Sequence, residues 1–146
     1  MPIVLRWKKL HPEAKIPAHQ TAGAACFDLH ARVDQDFIMK KGTSGIIPTG
    51  LAVEIPPGYE MQIRARSGLA AKHGFTLVNG IGTIDSDYRG ELKVIATLVQ
   101  DDELVVKDGD RIAQALIAPV LIVEHAEADE LSDTARGEGG LGSTKK

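Results

Sequence analysis

At 146 residues the chain is long enough to bury one core of its own and short for two. A net charge of −3 excludes the broad basic field that grips long nucleic acid, but leaves room for a small anion held by a few arginines. The single cysteine, Cys26, excludes an intrachain disulfide and points to a reducing, cytoplasmic setting; no apolar run reaches membrane-spanning length, and the first ten residues carry no secretory core.

Only 4% of residues are aromatic, so the core must be built from Val, Ile, Leu and Ala. From the start of the chain, Ile3, Leu5 and Trp7 alternate, which assigns Trp7 to the core. Cys26 lies in an apolar stretch and reads as a buried structural thiol. Leu51, Val53 and Ile55 alternate up to Pro56-Pro57-Gly58, where Pro and Gly suit the centre of a type II turn. Every other residue from Tyr59 to Ala65 is apolar, the pattern of a strand with one buried face. Leu69 to His73 is the only stretch that suggests a helix, of one or two turns. Asn79-Gly80, between two apolar runs, predicts a type I′ hairpin. Alternation resumes at Leu92, Val94, Ala96 and Leu98, and Asp101-Asp102-Glu103 reads as a solvated turn. From Ile112 to Val123 the chain is almost continuously apolar, as in a strand buried on both faces. Short strands with frequent Gly and Pro predict an all-β sandwich or jelly roll. After Val123 the composition turns acidic and then glycine-rich, dividing a folded domain, residues 1–124, from a flexible arm, residues 125–146.

Four clusters hold residues suited to chemistry. Gly82-Thr83-Ile84-Asp85-Ser86-Asp87-Tyr88-Arg89-Gly90-Glu91 follows an apolar strand, which would fix and partly desolvate Asp85, a carboxylate able to act as a base toward water. Arg66-Ser67-Gly68 combines a guanidinium fork, a hydroxyl and a flexible backbone, a set that fits phosphate oxygens. In Gly109-Asp110-Arg111-Ile112-Ala113-Gln114 the two charges could pair with each other. The Gln114 amide, set in an apolar run, needs either a backbone or a ligand partner. The tail from Arg136 to Thr144 formally contains G-x-G-x-x-G, but no strand precedes it and no helix can follow, so a dinucleotide fold is excluded. Its glycine N–H groups and its Arg and Ser donors could still close over a polyphosphate. The five histidines show no metal-ligand spacing.

In order and spacing these clusters resemble the homotrimeric dUTPase family over nearly the whole chain: Ala24–Leu29, ARSGLA at 65–70, GTIDSDYRGE at 82–91, GDRIAQ at 109–114 and RGEGGLGST at 136–144. The resemblance implies a jelly-roll-like β-clip fold and a homotrimer with active sites shared between subunits. It also implies a tail that closes over a neighbour's site. The implied reaction is hydrolysis of dUTP to dUMP and pyrophosphate by water attacking the α-phosphorus in line. That reaction keeps uracil out of DNA and supplies dUMP for dTMP synthesis. Asp85 matches the residue that activates the water, and Tyr88 the ring that packs on deoxyribose and excludes a 2′-hydroxyl. Asn79, Gly82, Thr83, Ile84 and Asp85 fall on the uracil-reading backbone, with Lys93 at a further nucleotide contact. Arg66, Ser67, Gly68 and Gln114 match phosphate-binding positions, and Arg136 an arginine at the terminal phosphates. Gly142 and Ser143 belong to the closing tail. Mg²⁺ is the implied cofactor, held mainly by the substrate's phosphates, with Asp28 touching it only through water. Leu141 departs from the family's usual phenylalanine, whose stacking on a base is worth roughly 1–3 kcal/mol; Lys145 replaces a common glycine. A dCTP deaminase on the same fold, or a non-catalytic nucleotide-binding relative, are the competing readings, and the intact IDSDYRGE and RSGLA strings favour the triphosphatase.

Overall fold

The computed structural model describes residues 2–140. Its elements are short strands and one brief helix: β1 (Arg6–Lys9), β2 (Phe27–His30), β3 (Phe37–Lys40), β4 (Ser44–Pro48), β5 (Leu51–Glu54), β6 (Tyr59–Arg64), α1 (Ser67–His73), β7 (Phe75–Leu77), β8 (Gly82–Ile84), β9 (Lys93–Leu98), β10 (Glu103–Val106) and β11 (Arg111–Pro119). A four-stranded sheet in the order β2-β11-β6-β8 and a three-stranded sheet β4-β9-β7 are joined by two-stranded ribbons, β1-β5 and β3-β10. Every named strand pair is antiparallel. The expected jelly-roll-like β fold is thus present.

Alternation decides which side chains meet inside. On β9, Val94, Ala96 and Leu98 are buried, while Lys93 and Ile95 face out. On β6, Met61 and Ile63 point into the core, leaving Glu60, Gln62 and Arg64 on the other face. These residues join Leu29, Ile47, Phe75, Leu92 and Ile112 in one apolar cluster. Each fully buried Leu, Ile or Phe contributes about 1.5–3 kcal/mol relative to exposure. Trp7 packs edge-on against Phe27, ring centroids 6.1 Å apart, and so belongs to the core margin as expected; Ile3 does not and is 46% exposed. Cys26 is only partly buried, because it precedes β2 rather than lying within it.

The predicted turn at Pro56-Pro57-Gly58 forms, with Gly58 at φ 86° and the Tyr59 N–H donating to the Pro56 carbonyl at 3.3 Å. The predicted helical turns also form. Arg66 enters α1 with extended backbone, and Gly74, in the left-handed region at φ 67°, donates its N–H to the carbonyls of Ala70 and Leu69. Lys72 sits in the last turn, where its positive charge complements the helix dipole. The His73 ring meets Asp101 Oδ2 at 2.6 Å, so Asp101 anchors the end of α1 rather than standing free in a solvated turn.

Further expectations change. Asn79-Gly80 does not make a hairpin: a type I′ turn requires two positive φ angles and only Gly80, at 69°, supplies one. The flanking strands diverge, β7 pairing with β9 and β8 with β6, so the chain crosses there between the two sheets. On β5, Ala52 is buried along with Leu51 and Val53, so this strand is covered on both faces where alternation implied one. The apolar run at 112–123 is a strand only to Pro119. Its β2 partner reaches no further than Ala115, and beyond that it is held on one side by β6. A last bond joins the Val120 N–H to the Gly58 carbonyl at 2.9 Å, after which Leu121 and Ile122 are 85% and 95% exposed. Among the described residues no helix is long and apolar enough to cross a membrane.

Candidate active site

Register places the first group of candidate residues. Gly82 lies opposite Ile63 on β6, and an added Cβ there would come within 3.3 Å of the Ile63 Cβ and 3.4 Å of the Asn79 Nδ2. The missing side chain lets β8 run close to β6 and brings the Asn79 amide alongside. The strand ends at Ile84, so Asp85 starts a turn whose Tyr88 N–H donates to the Asp85 carbonyl at 3.2 Å. Arg89 braces that turn, donating to the carbonyls of Ser86 at 2.7 Å and Tyr88 at 2.9 Å. The Tyr88 hydroxyl donates to the Glu91 carbonyl at 3.1 Å. The Glu91 carboxylate accepts the Gly50 N–H at 2.9 Å and faces the Lys93 ammonium at 3.7 Å. Thr83, Ile84, Asp85, Tyr88, Glu91 and Lys93 line one open cavity of about 320 Å³, floored by Ile46 and Ile95. Asn79 and Gly82 open on an adjoining hollow of about 160 Å³ that shares Thr83, Ile84 and Lys93. The combined shape offers apolar walls, backbone groups and two carboxylates, of which Glu91 is paired with Lys93 and Asp85, among the described residues, is not, at a size that suits a small organic ligand. Asp85 is exposed rather than desolvated, because the strand stops one residue before it.

A second group gathers where β2, β11 and the start of α1 meet. Asp28 is buried, 7% exposed, between the Nε of Arg66 at 3.0 Å and the Nη1 of Arg111 at 3.2 Å. Arg66 also donates to the Arg111 carbonyl at 3.0 Å. Two guanidiniums on one carboxylate leave a surplus positive charge, with Ser67 and Gly68 exposed beside it at the head of α1. Arg66 and Arg111 line a cavity of about 290 Å³ together with Asp110 and the apolar Leu69 and Phe75. Gln114 satisfies its amide on a backbone group, donating Nε2 to the Ala65 carbonyl at 2.9 Å, which ties β11 to the residue preceding Arg66. Arg111 does not pair with Asp110: Asp110 accepts the Lys107 N–H at 2.8 Å, closing the turn that enters β11.

The same corner contains a group that sequence reasoning passed over. His30 lies opposite Arg111 in the β2–β11 ladder, and its Nδ1 is buried with no hydrogen-bond partner among the described residues. Burial and the nearby cations Lys15, Arg111 and Arg66 lower its pKa below the usual imidazole value, against an opposing pull from Asp28. The neutral ring leaves the arginines and Lys15 as the positive charge around it. Alternation along β2, which puts positions 28 and 30 on one face, was the signal available for it. Arg111 was named in its motif, but its partner was not foreseeable, since Asp28 lies 83 positions away.

The two groups are separate on one chain. Ile84 faces Met61 near the start of β6, whereas Arg66 follows its far end; at about 3.3 Å per residue this is a separation on the order of 15 Å. Arg136 joins neither group. It donates Nε to its own Gly139 carbonyl at 2.6 Å, within an exposed turn where Gly137 has φ 51°. Leu141, Gly142 and Ser143 lie outside the described residues.

A family model described as dUTPase matches residues 12–145. Deoxyuridine 5'-triphosphate nucleotidohydrolase of Nautilia profundicola is 57% identical over 142 residues, covering 97% of this chain and 99% of its own. The enzyme of the same name from Syntrophotalea carbinolica is 50% identical, covering 97% of each. Among solved structures, the Staphylococcus bacteriophage 80alpha dUTPase with dUPNHPP superposes with a TM-score of 0.85 at 25% identity, over 97% of this chain and 98% of that one. A mutant dUTPase from phage phi11 of S. aureus, solved for the coordination of a structural Mg(II) ion, superposes with a TM-score of 0.78 at 21% identity, over 89% and 99%.

Proposed function

The chain belongs to the dUTPase family, and from that premise we propose that it hydrolyses dUTP to dUMP and pyrophosphate, with Asp85 activating the attacking water. One observation carries the assignment of roles: Asp85 and Tyr88 line a single cavity together with Thr83 and Ile84, whose backbone belongs to β8. The uracil edge sits against that backbone and the Asn79 amide, where O4 finds a donor and N3–H an acceptor. Cytosine reverses that pattern, and a reversed pair would strand buried polar groups. The Tyr88 ring packs on the deoxyribose, and Lys93 stands at the edge. Asp85 takes a proton from a water lying in line with the α-phosphorus, and the pyrophosphate leaves on the opposite side. The Arg66 guanidinium, with Ser67 and Gly68, receives phosphate oxygens, and Gln114 holds the Ala65 carbonyl so that Arg66 keeps its aim.

The residues present fit Mg²⁺ carried in by the substrate rather than a protein cage. Among the described residues no three carboxylates or imidazoles converge, and each Asp28 oxygen already lies against an arginine nitrogen, leaving Asp28 to reach the ion only through water. Bound to the triphosphate, the ion offsets negative charge on the leaving group.

A homotrimer with shared sites accounts for the separation of the two groups: one subunit supplies the cavity of Asp85 and Tyr88, a neighbour the Asp28–Arg66–Arg111 corner. An exposed apolar pair supports a buried contact between copies. Ile38 stands opposite Val105 at 54% and 39% exposure, outside the cavity of Asp85 and Tyr88. The arm from residue 125 closes over a completed site, bringing Arg136 to the terminal phosphates with Leu141, Gly142 and Ser143, and shutting out bulk solvent while the attacking water stays at Asp85, which is exposed on the isolated chain. The setting is cytoplasmic, where the activity keeps uracil out of DNA and supplies dUMP for dTMP synthesis.

Supplying purified protein and Mg²⁺ with dUTP, UTP, dCTP and dTTP in turn tests this reading. dUTP is expected to yield dUMP and pyrophosphate, with the other three slower by about 100-fold or more. Ammonia from dCTP would reassign the chemistry to deamination. Tight dUTP binding without pyrophosphate release would make the protein a sensor.

A further inference from the structure

Gly90 is a glycine whose backbone does not require one: its φ lies outside the left-handed region, unlike those of Gly50, Gly58 or Gly74. Its missing side chain is needed elsewhere. A Cβ built on Gly90 would overlap the Tyr88 hydroxyl, stand 2.5 Å from the Tyr88 Cζ and 3.0 Å from Cε2. Real Cβ atoms are not found at such distances, so the phenol ring occupies the space that alanine would fill. The ring is thus seated over Gly90 and pinned at its tip by the hydroxyl donating to the Glu91 carbonyl at 3.1 Å. The residue bearing that carbonyl is itself fixed, through its carboxylate, on the Gly50 N–H at 2.9 Å. Tyr88 is 43% exposed, so little besides this seat holds the ring at its place in the cavity wall.

We propose that Gly90 is a specificity-determining position that acts through Tyr88: by leaving the seat empty it holds the phenol against the sugar, and any side chain there swings the ring away and admits a ribonucleotide. This rests on the reading that Tyr88 packs on deoxyribose, and the experiment separates the two. The ratio of kcat/KM for dUTP to that for UTP is measured for the parent, Gly90→Ala, Tyr88→Ala and the double variant. Gly90→Ala is expected to lower the ratio by about tenfold or more. Tyr88→Ala is expected to lower it at least as far, and adding Gly90→Ala to it to change the ratio little further, because a substitution that acts through a ring has nothing to displace once the ring is gone. An unchanged ratio in Gly90→Ala, beside a lowered one in Tyr88→Ala, would overturn the role of Gly90 while leaving that of Tyr88 intact. Equal losses in both backgrounds would show that Gly90 acts by another route. An unchanged ratio in Tyr88→Ala would remove the sugar-packing reading and this inference with it. Should Gly90→Ala fail to fold, the double variant is expected to recover, since truncating the ring clears the overlap; failure of both to fold would also overturn the seat.

Discussion

Asp85→Asn is expected to lower the turnover of dUTP by about 10²–10⁴-fold while leaving nucleotide affinity within a few-fold of the parent. The substitution keeps the shape of the side chain and removes its capacity to accept a proton from water. Its structural cost is small. The side chain is exposed, and it makes no hydrogen bond or ion pair among the described residues, so the change in stability should stay within about 0.5 kcal/mol. What remains of the site, the β8 backbone, Tyr88 and the Asp28–Arg66–Arg111 corner, is untouched. Removing one negative charge near a triphosphate also relieves a repulsion, so affinity is not expected to fall. Single-turnover rates, with binding measured by calorimetry on a non-hydrolysable analogue, separate the two quantities. Undiminished turnover would exclude Asp85 as the base, and lost binding in a folded variant would make it a substrate contact.

Deleting residues 136–146 is expected to reduce kcat/KM by about 10–100-fold, the loss of one charge-assisted hydrogen bond at roughly 1.5–3 kcal/mol, while the body melts as before. The described part of the arm lies away from the core. Residues 121–138 are exposed, and among the described residues the Arg136 side chain is held only by the Gly139 carbonyl, so the described part of the deleted segment contributes no packing to the sheets. The expected defect is therefore one of closure and phosphate charge. Thermal melts and kinetics on the same preparation check both halves. Full activity in the truncated enzyme would contradict the role given to Arg136, Leu141, Gly142 and Ser143, and a lowered melting temperature would show that the arm supports the fold.

Much of the body was legible because its signals are local. Alternation at Met61 and Ile63, and at Val94, Ala96 and Leu98, predicts which face is buried, and Pro56-Pro57-Gly58 carries its turn in three residues. What escaped depends on partners distant in sequence. Asn79-Gly80 has the composition of a hairpin, but the neighbours of the flanking strands are β6 and β9, whose pairing overrides the dipeptide's preference. The run from Ile112 continues apolar past Pro119, yet the sheet holding it does not, and no property of Leu121 or Ile122 says where β6 stops. The candidate site divides along the same line. Motifs identify Asp85, Tyr88, Arg66 and Gln114, each within a contiguous string. That Asp28 would lie between Arg66 and Arg111, or that Asp101 would grip His73, follows only from strands being laid side by side.

The central claim is that water attacks the innermost phosphorus of dUTP, and the fate of labelled oxygen tests it most directly. In a single turnover in ¹⁸O-labelled water with Mg²⁺, the label is expected in the phosphate of dUMP, with the pyrophosphate unlabelled. Label in the pyrophosphate and none in dUMP would place the attack on the β-phosphorus. Asp85, set beside the sugar cavity of Tyr88, would then not be the residue that directs it.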